Sequence, residues 1–180
     1  MNEDIKTVLL TEEQIGKRVQ ELGKQLAKDY EGKKVIMIVL LTGAAYFATD
    51  LSRAMDMPVR MEFMAVSSYG NGTQTTGSVA VRLDIKDNIA GKHVLLVDDI
   101  IDSGLTFSNI KTLLQSKHPA SIKTVAMCDK KARRTNGFNA DYSGFEIPDE
   151  FVVGYGLDYA GDYRNLPYIG ILKPSVYARA

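Results

Sequence analysis

The chain has 180 residues, 45 % hydrophobic and 24 % charged, which suits one ordinary domain and is too apolar for a disordered chain. Its 22 Lys plus Arg balance 22 Asp plus Glu, so no global basic field draws it to nucleic acid or anionic lipid. Its one cysteine, Cys128, excludes an intrachain disulfide, and no run approaches the ~18 apolar residues of a membrane span; the expectation is a cytoplasmic protein without a membrane partner.

In chain order, Thr11-Glu12-Glu13-Gln14 reads as a capping box opening a helix. Ile15, Val19, Leu22 and Leu26 recur on one face of that helix, and Gly32 ends it. The continuous apolar run 35–41 predicts a strand covered on both faces, as in a parallel sheet. Thr42-Gly43-Ala44-Ala45 turns into a second helix with Phe47, Leu51 and Met55 on its apolar face, and Pro58 precedes a strand from Val59 to Ser67. Residues 68–78 lose all apolar periodicity and hold three glycines, which predicts a long loop of the kind that serves as a mobile lid. Strands follow at Val79–Leu83, His93–Val97 and Ile122–Met127, with a helix burying Phe107, Ile110, Leu113 and Leu114 between the last two. Cys128 extends an apolar run and reads as a small buried hydrophobe. The alternation of strands and helices points to one α/β domain over residues 1–180 with a central, mainly parallel sheet.

The chemistry concentrates after the strand at His93. Ligands of open α/β sheets bind beyond the carboxyl ends of the strands, where Asp98 and Asp99 stand. Two adjacent carboxylates repel unless something compensates them, and sugar hydroxyls or a hard cation such as magnesium would do so. Asp102-Ser103-Gly104-Leu105-Thr106 then leads into a helix whose free N–H groups favour an anion. No Gly-Lys-Ser/Thr follows, so this is not a Walker loop. The expected guest is a phosphate monoester on a sugar.

Leu95 to Thr106 resembles the phosphoribosyl pyrophosphate signature of type I phosphoribosyltransferases. Asp129-Lys130-Lys131, the segment from Phe145 to Tyr159 and Arg164-Asn165-Leu166-Pro167-Tyr168-Ile169-Gly170 follow in an order that resembles the hypoxanthine-guanine phosphoribosyltransferases over nearly the whole chain. The resemblance implies that family's fold, with helices flanking the sheet and a small hood built from the terminal segments. It implies magnesium-dependent transfer of a 5-phosphoribosyl group from phosphoribosyl pyrophosphate to N9 of hypoxanthine or guanine, releasing pyrophosphate in purine salvage. Asp102 would be the acid/base at the purine N7. Asp98 and Asp99 would face the ribose hydroxyls and a metal, Ser103, Gly104, Leu105 and Thr106 the 5′-phosphate. Lys130 would meet the purine O6, Phe151 would stack on the base and Val152 would offer backbone groups to its edge. Asp158 would bind a second magnesium, and Arg164 would reach pyrophosphate. Leu41, Thr42 and Gly43 would form the pyrophosphate loop, with a cis peptide bond at Leu41–Thr42, and Ser68 and Tyr69 would belong to the closing lid. Thr42 stands where many members carry Lys or Arg, so pyrophosphate there would rest on backbone N–H groups. A homodimer or homotetramer is expected.

Two rivals remain at this level. One is a regulator of the same fold that senses phosphoribosyl pyrophosphate and binds nucleic acid; Asp102, Lys130 and the zero net charge argue against it. The other keeps the chemistry but prefers xanthine. Taken alone, Lys130, Lys131, Arg133 and Arg134 read as a solvated basic turn.

Overall fold

The computed structural model describes residues 2–68 and 79–178. The predicted lid, Tyr69 and the side chain of Ser68 lie outside the described residues. Strands run in the order β1 (Ile5–Leu10), β2 (Val35–Leu41), β3 (Val59–Ser68), β4 (Val79–Leu83), β5 (His93–Ile101), β6 (Ser121–Asp129), β7 (Tyr142–Glu146), β8 (Val152–Val153) and β9 (Ile169–Leu172). Helices are α1 (Glu12–Asp29), α2 (Ala44–Ala54), α3 (Leu105–Gln115) and the short α4 (Pro174–Tyr177). No helix among the described residues is long and apolar enough to cross a membrane.

Six strands form the central sheet in the order β4-β3-β2-β5-β6-β7. All its pairings are parallel except β3 with β4. The continuous apolar runs have the reason expected of them: Ile36, Met37, Ile38 and Val39 in β2 and Val94 to Val97 in β5 are buried on both faces. Alternate residues feed two cores. Leu95, Val97, Met37 and Val39 pack with α1 and α2, whereas Val94, Leu96, Ile36 and Ile38 pack with Phe107, Ile110 and Leu114 of α3. The capping box of α1 is present, with Thr11 and Gln14 bonded reciprocally. That helix ends three residues before Gly32, at Asp29, and Tyr30 closes it by donating its N–H to the Leu26 carbonyl.

The second sheet, β1-β9-β8, is antiparallel and built from the two ends of the chain. It is the expected hood. β1 was not foreseen, because Ile5–Leu10 buries only Leu10 fully and lacks strict alternation; its pairing with β9 makes it a strand. β5 also runs four residues past the predicted Val97, so Asp98 and Asp99 stand inside the strand end, in parallel register with Ala126 and its neighbours in β6.

Candidate active site

The clefts that matter open at the carboxyl ends of β5 and β6. One, of about 200 Å³, is lined by Asp98, Asp99, Asp102, Ser103, Gly104, Thr106 and neighbours. The other, of about 250 Å³, is lined by Asp99, Ile100, Asp102, Lys130, Phe151, Val152, Leu157 and Asp158. They share Asp99, Ile100 and Asp102, so β5 is the wall between a phosphate-sized end and an end walled by Ile100 and Phe151.

Asp98 accepts the N–H of Asp99 at 2.9 Å. Burial, then the neighbouring Asp99 carboxylate, pushes Asp98 well above the usual carboxylate range. Burial raises Asp99 as well, opposed by hydrogen bonding to Asp98 and by the charge of Arg164. Two desolvated carboxylates with so little counter-charge are a donor set for a hard, oxygen-seeking cation that keeps waters and bridges to a substrate. The residues present therefore fit magnesium. Among the described residues no three His, Cys, Asp or Glu side chains converge into a metal cage, so Asp98 and Asp99 stand apart from Asp158 as donors. Asp158 is held by Arg164 Nη2 at 2.7 Å and accepts the Gly161 N–H at 2.8 Å.

Arg164 also donates from Nη1 to the Gly156 carbonyl at 2.6 Å, which fixes it beside Gly43 and Asp99. Here the backbone approaches too closely for side chains. A Cβ on Gly43 would lie 1.7 Å from Asp99 Oδ2, and one on Gly156 would lie 2.1 Å from the Gly43 carbonyl oxygen. The Leu41–Thr42 peptide bond is cis, as the resemblance implied, and Thr42 is exposed beside the buried Gly43.

Asp102 to Thr106 form the turn into α3. Gly104 has φ +82°, the left-handed region, and no side chain caps the helix. The first N–H groups of α3 are thus left to the cleft, with Leu105 N–H reaching Ser103 Oγ at 3.3 Å. The turn is backed by 134–138: Thr135 N–H donates to the Ser103 carbonyl at 3.2 Å, and Phe138 stacks on Phe107 with centroids 5.3 Å apart.

Lys130 is 6 % exposed, and its ammonium lies 3.6 Å from the Asp102 carboxylate. Phe151 is exposed, while Val152 is buried and paired with Ile171. The Phe151 carbonyl accepts from Leu172 N–H at 2.8 Å, so the N–H and C=O of Val152 turn the other way in the pleat, on the side away from β9. Of the predicted site residues, Leu41, Thr42, Gly43, Leu105 and Arg164 do not line these two clefts, although Gly43 and Arg164 stand beside Asp99, and Ser68 ends β3; the others among the described residues line one cleft or both.

The basic turn needs correction. Lys131 and Arg133 are exposed and pair with Glu146 and Asp149, as a solvated turn would. Arg134 is not solvated. Its guanidinium pairs with the buried Asp129 carboxylate and donates to the Asp102 carbonyl at 2.7 Å, while its Nε is buried without a partner. Sequence gave no signal to separate Arg134 from Arg133, because only the fold over 129–138 puts one inside. Ile100 and Gly156 were also missed. Gly156 had a legible sign, as one of two glycines set among bulky residues from Phe151 to Tyr159, of the kind that marks close backbone approach.

The phosphoribosyl transferase domain model matches residues 7–160. The chain is 49 % identical to the hypoxanthine-guanine phosphoribosyltransferase of Staphylococcus aureus strain Mu50, over 99 % of each chain. It is 47 % identical to the bifunctional protein TilS/HprT of Listeria innocua over 99 % of its own length, but spans only 28 % of that longer protein. A crystal structure of a Staphylococcus aureus hypoxanthine phosphoribosyltransferase superposes with a TM-score of 0.96 at 49 % identity, covering 98 % of this chain and 96 % of that one. The sequence signature and the two-sheet fold agree with these matches: the chain belongs to the phosphoribosyl transferase family, in its hypoxanthine-guanine branch.

Proposed function

We propose that this chain transfers the 5-phosphoribosyl group of phosphoribosyl pyrophosphate to N9 of hypoxanthine or guanine, releasing pyrophosphate, with magnesium as cofactor. The observation that carries this is the juxtaposition of a buried Lys130 ammonium with the Asp102 carboxylate, 3.6 Å apart in a cleft walled by Phe151. A fixed ammonium donates to a 6-oxo group and opposes the 6-amino group of adenine, donor against donor. Asp102 takes the proton that the purine must lose to become a nucleophile. The N–H groups at the start of α3, with Ser103 and Thr106, hold the 5′-phosphate. Arg164 supplies positive charge where pyrophosphate gathers negative charge on leaving. Asp98 and Asp99, with Asp158 separately, would hold magnesium, which when bound neutralises phosphate charge and orients the pyrophosphate. The same reading has the enzyme acting in the cytoplasm, as a homodimer or homotetramer, without nucleic acid or membrane partners.

The test is product formation from phosphoribosyl pyrophosphate and magnesium with hypoxanthine, guanine, xanthine and adenine in turn. Turnover of the first two and not adenine is expected. Turnover of no purine would sink the enzyme reading, and a clear preference for xanthine would replace the assigned substrates.

A further inference from the structure

We propose that Tyr177, in the last helix of the chain, is a positioning residue for the purine: it fixes the plane of Phe151 and thereby sets purine affinity. This rests on the purine-binding reading above. Phe151 is 38 % exposed and stands at the rim of the hood, immediately before β8. A Phe ring turns broadly about its Cβ–Cγ bond, so an exposed ring on its own would have to be ordered by the base it stacks on. Here it is ordered beforehand. Tyr177 lies against it with centroids 5.0 Å apart and planes 22° from parallel. Tyr159 meets it nearly edge-on, at 5.7 Å and 85°. Tyr177 does not line the cleft shared by Phe151, Ile100 and Lys130, so its ring backs Phe151 from outside and leaves the cleft side for a flat ligand.

The backing ring is itself anchored. Lys173 N–H donates to the Asp4 carbonyl at 2.9 Å, and the Lys173 ammonium reaches the Glu3 carbonyl. Within α4, Ala178 N–H donates to the Pro174 carbonyl at 2.8 Å. The two ends of the chain thus clamp one another and present Tyr177 to Phe151. Removing one stacked partner costs what an aromatic pair contributes beyond burial, which predicts a roughly three- to tenfold loss in purine binding.

The experiment compares the unaltered full chain with Tyr177→Ala, Tyr177→Leu and Tyr177→Phe at saturating phosphoribosyl pyrophosphate and magnesium. The expected result is a KM for hypoxanthine raised roughly three- to tenfold in the Ala and Leu variants. The KM for phosphoribosyl pyrophosphate and kcat should stay near their original values, and Tyr177→Phe should retain the original purine KM. An unchanged purine KM in Tyr177→Ala would overturn the proposal. So would recovery in Tyr177→Leu, which would show that bulk rather than a ring is needed. If the unaltered chain turns over no purine, the activity itself falls and the proposal with it, an outcome told apart by that control alone.

Discussion

Single atoms decide much at this site. Gly43 leaves 1.7 Å between the position of an added Cβ and Asp99 Oδ2, so the Asp99 carboxylate can occupy its place only because position 43 has no side chain. Gly43→Ala is expected to displace Asp99 and lower kcat/KM about 100-fold, the scale of a 1 Å misplacement, while circular dichroism keeps the native spectrum. Tyr30 makes the opposite case, a polar atom without a use. Its hydroxyl is buried without a hydrogen-bond partner, and burial, with Asp141 and Asp29 adding to it, pushes the phenol up to about 12. Tyr30→Phe should therefore stabilise the fold by about 1 kcal/mol, read as a melting temperature raised by about 2–4 °C. The sign with pH follows from the same shift. The unfolded phenol ionises near 10 and the folded one at about 12, so the shift costs the fold nothing below pH 10 and lowers its stability as pH rises toward 12. Thermal melts from pH 9 to 12 should fall less steeply in the Phe variant, and equal slopes would rule the assignment out.

Among elements, the segment after β6 carries the most information. Asp129 ends the strand, Lys130 follows it, and the chain then folds back so that Arg134 joins the Asp129 carboxylate to the Asp102 carbonyl. The side chains of Arg134 and Asp129 are only 10 % and 5 % exposed, so removing one partner leaves the other charge buried. Arg134→Met alone should cost about 3–5 kcal/mol in denaturant unfolding. Arg134→Met with Asp129→Asn removes both charges and should recover most of that loss. Turnover should remain depressed in the double variant, because the Asp102 carbonyl has lost its donor; full recovery of kcat together with stability would mean that Arg134 only balances charge. α3 and the Asp102–Thr106 turn show why a motif is legible while its support is not. Asp, Ser, Gly and Thr stand together in one short stretch of chain, whereas Phe138 and Thr135 back the turn through contacts about 30 residues away in sequence.

At the scale of the whole molecule, two sheets meet around the two clefts, the central one supplying Asp98, Asp99 and Asp102 and the hood supplying Phe151 and Val152. A ligand that binds the folded chain at either cleft and not the unfolded one should stabilise the fold. With phosphoribosyl pyrophosphate and magnesium at about 100 times the dissociation constant, the fold should gain about 2.7 kcal/mol, a rise in melting temperature of roughly 5–10 °C. A chelator should remove most of that rise, and a shift indifferent to it would count against Asp98 and Asp99 as magnesium donors. By itself the sequence determined the α/β class, the helix capped by Thr11, the central strands other than β7 and the turn from Asp102 to Thr106. These rest on local periodicity, capping and short-range motifs, which a single stretch of chain carries. Only the tertiary structure decided that Ile5–Leu10 is a strand, that Arg134 is buried while Arg133 is not, that Gly156 meets Gly43, and that Tyr177 lies on Phe151. Each depends on partners distant in sequence, and burial and contact across such distances are set by how the elements pack, which no local pattern encodes.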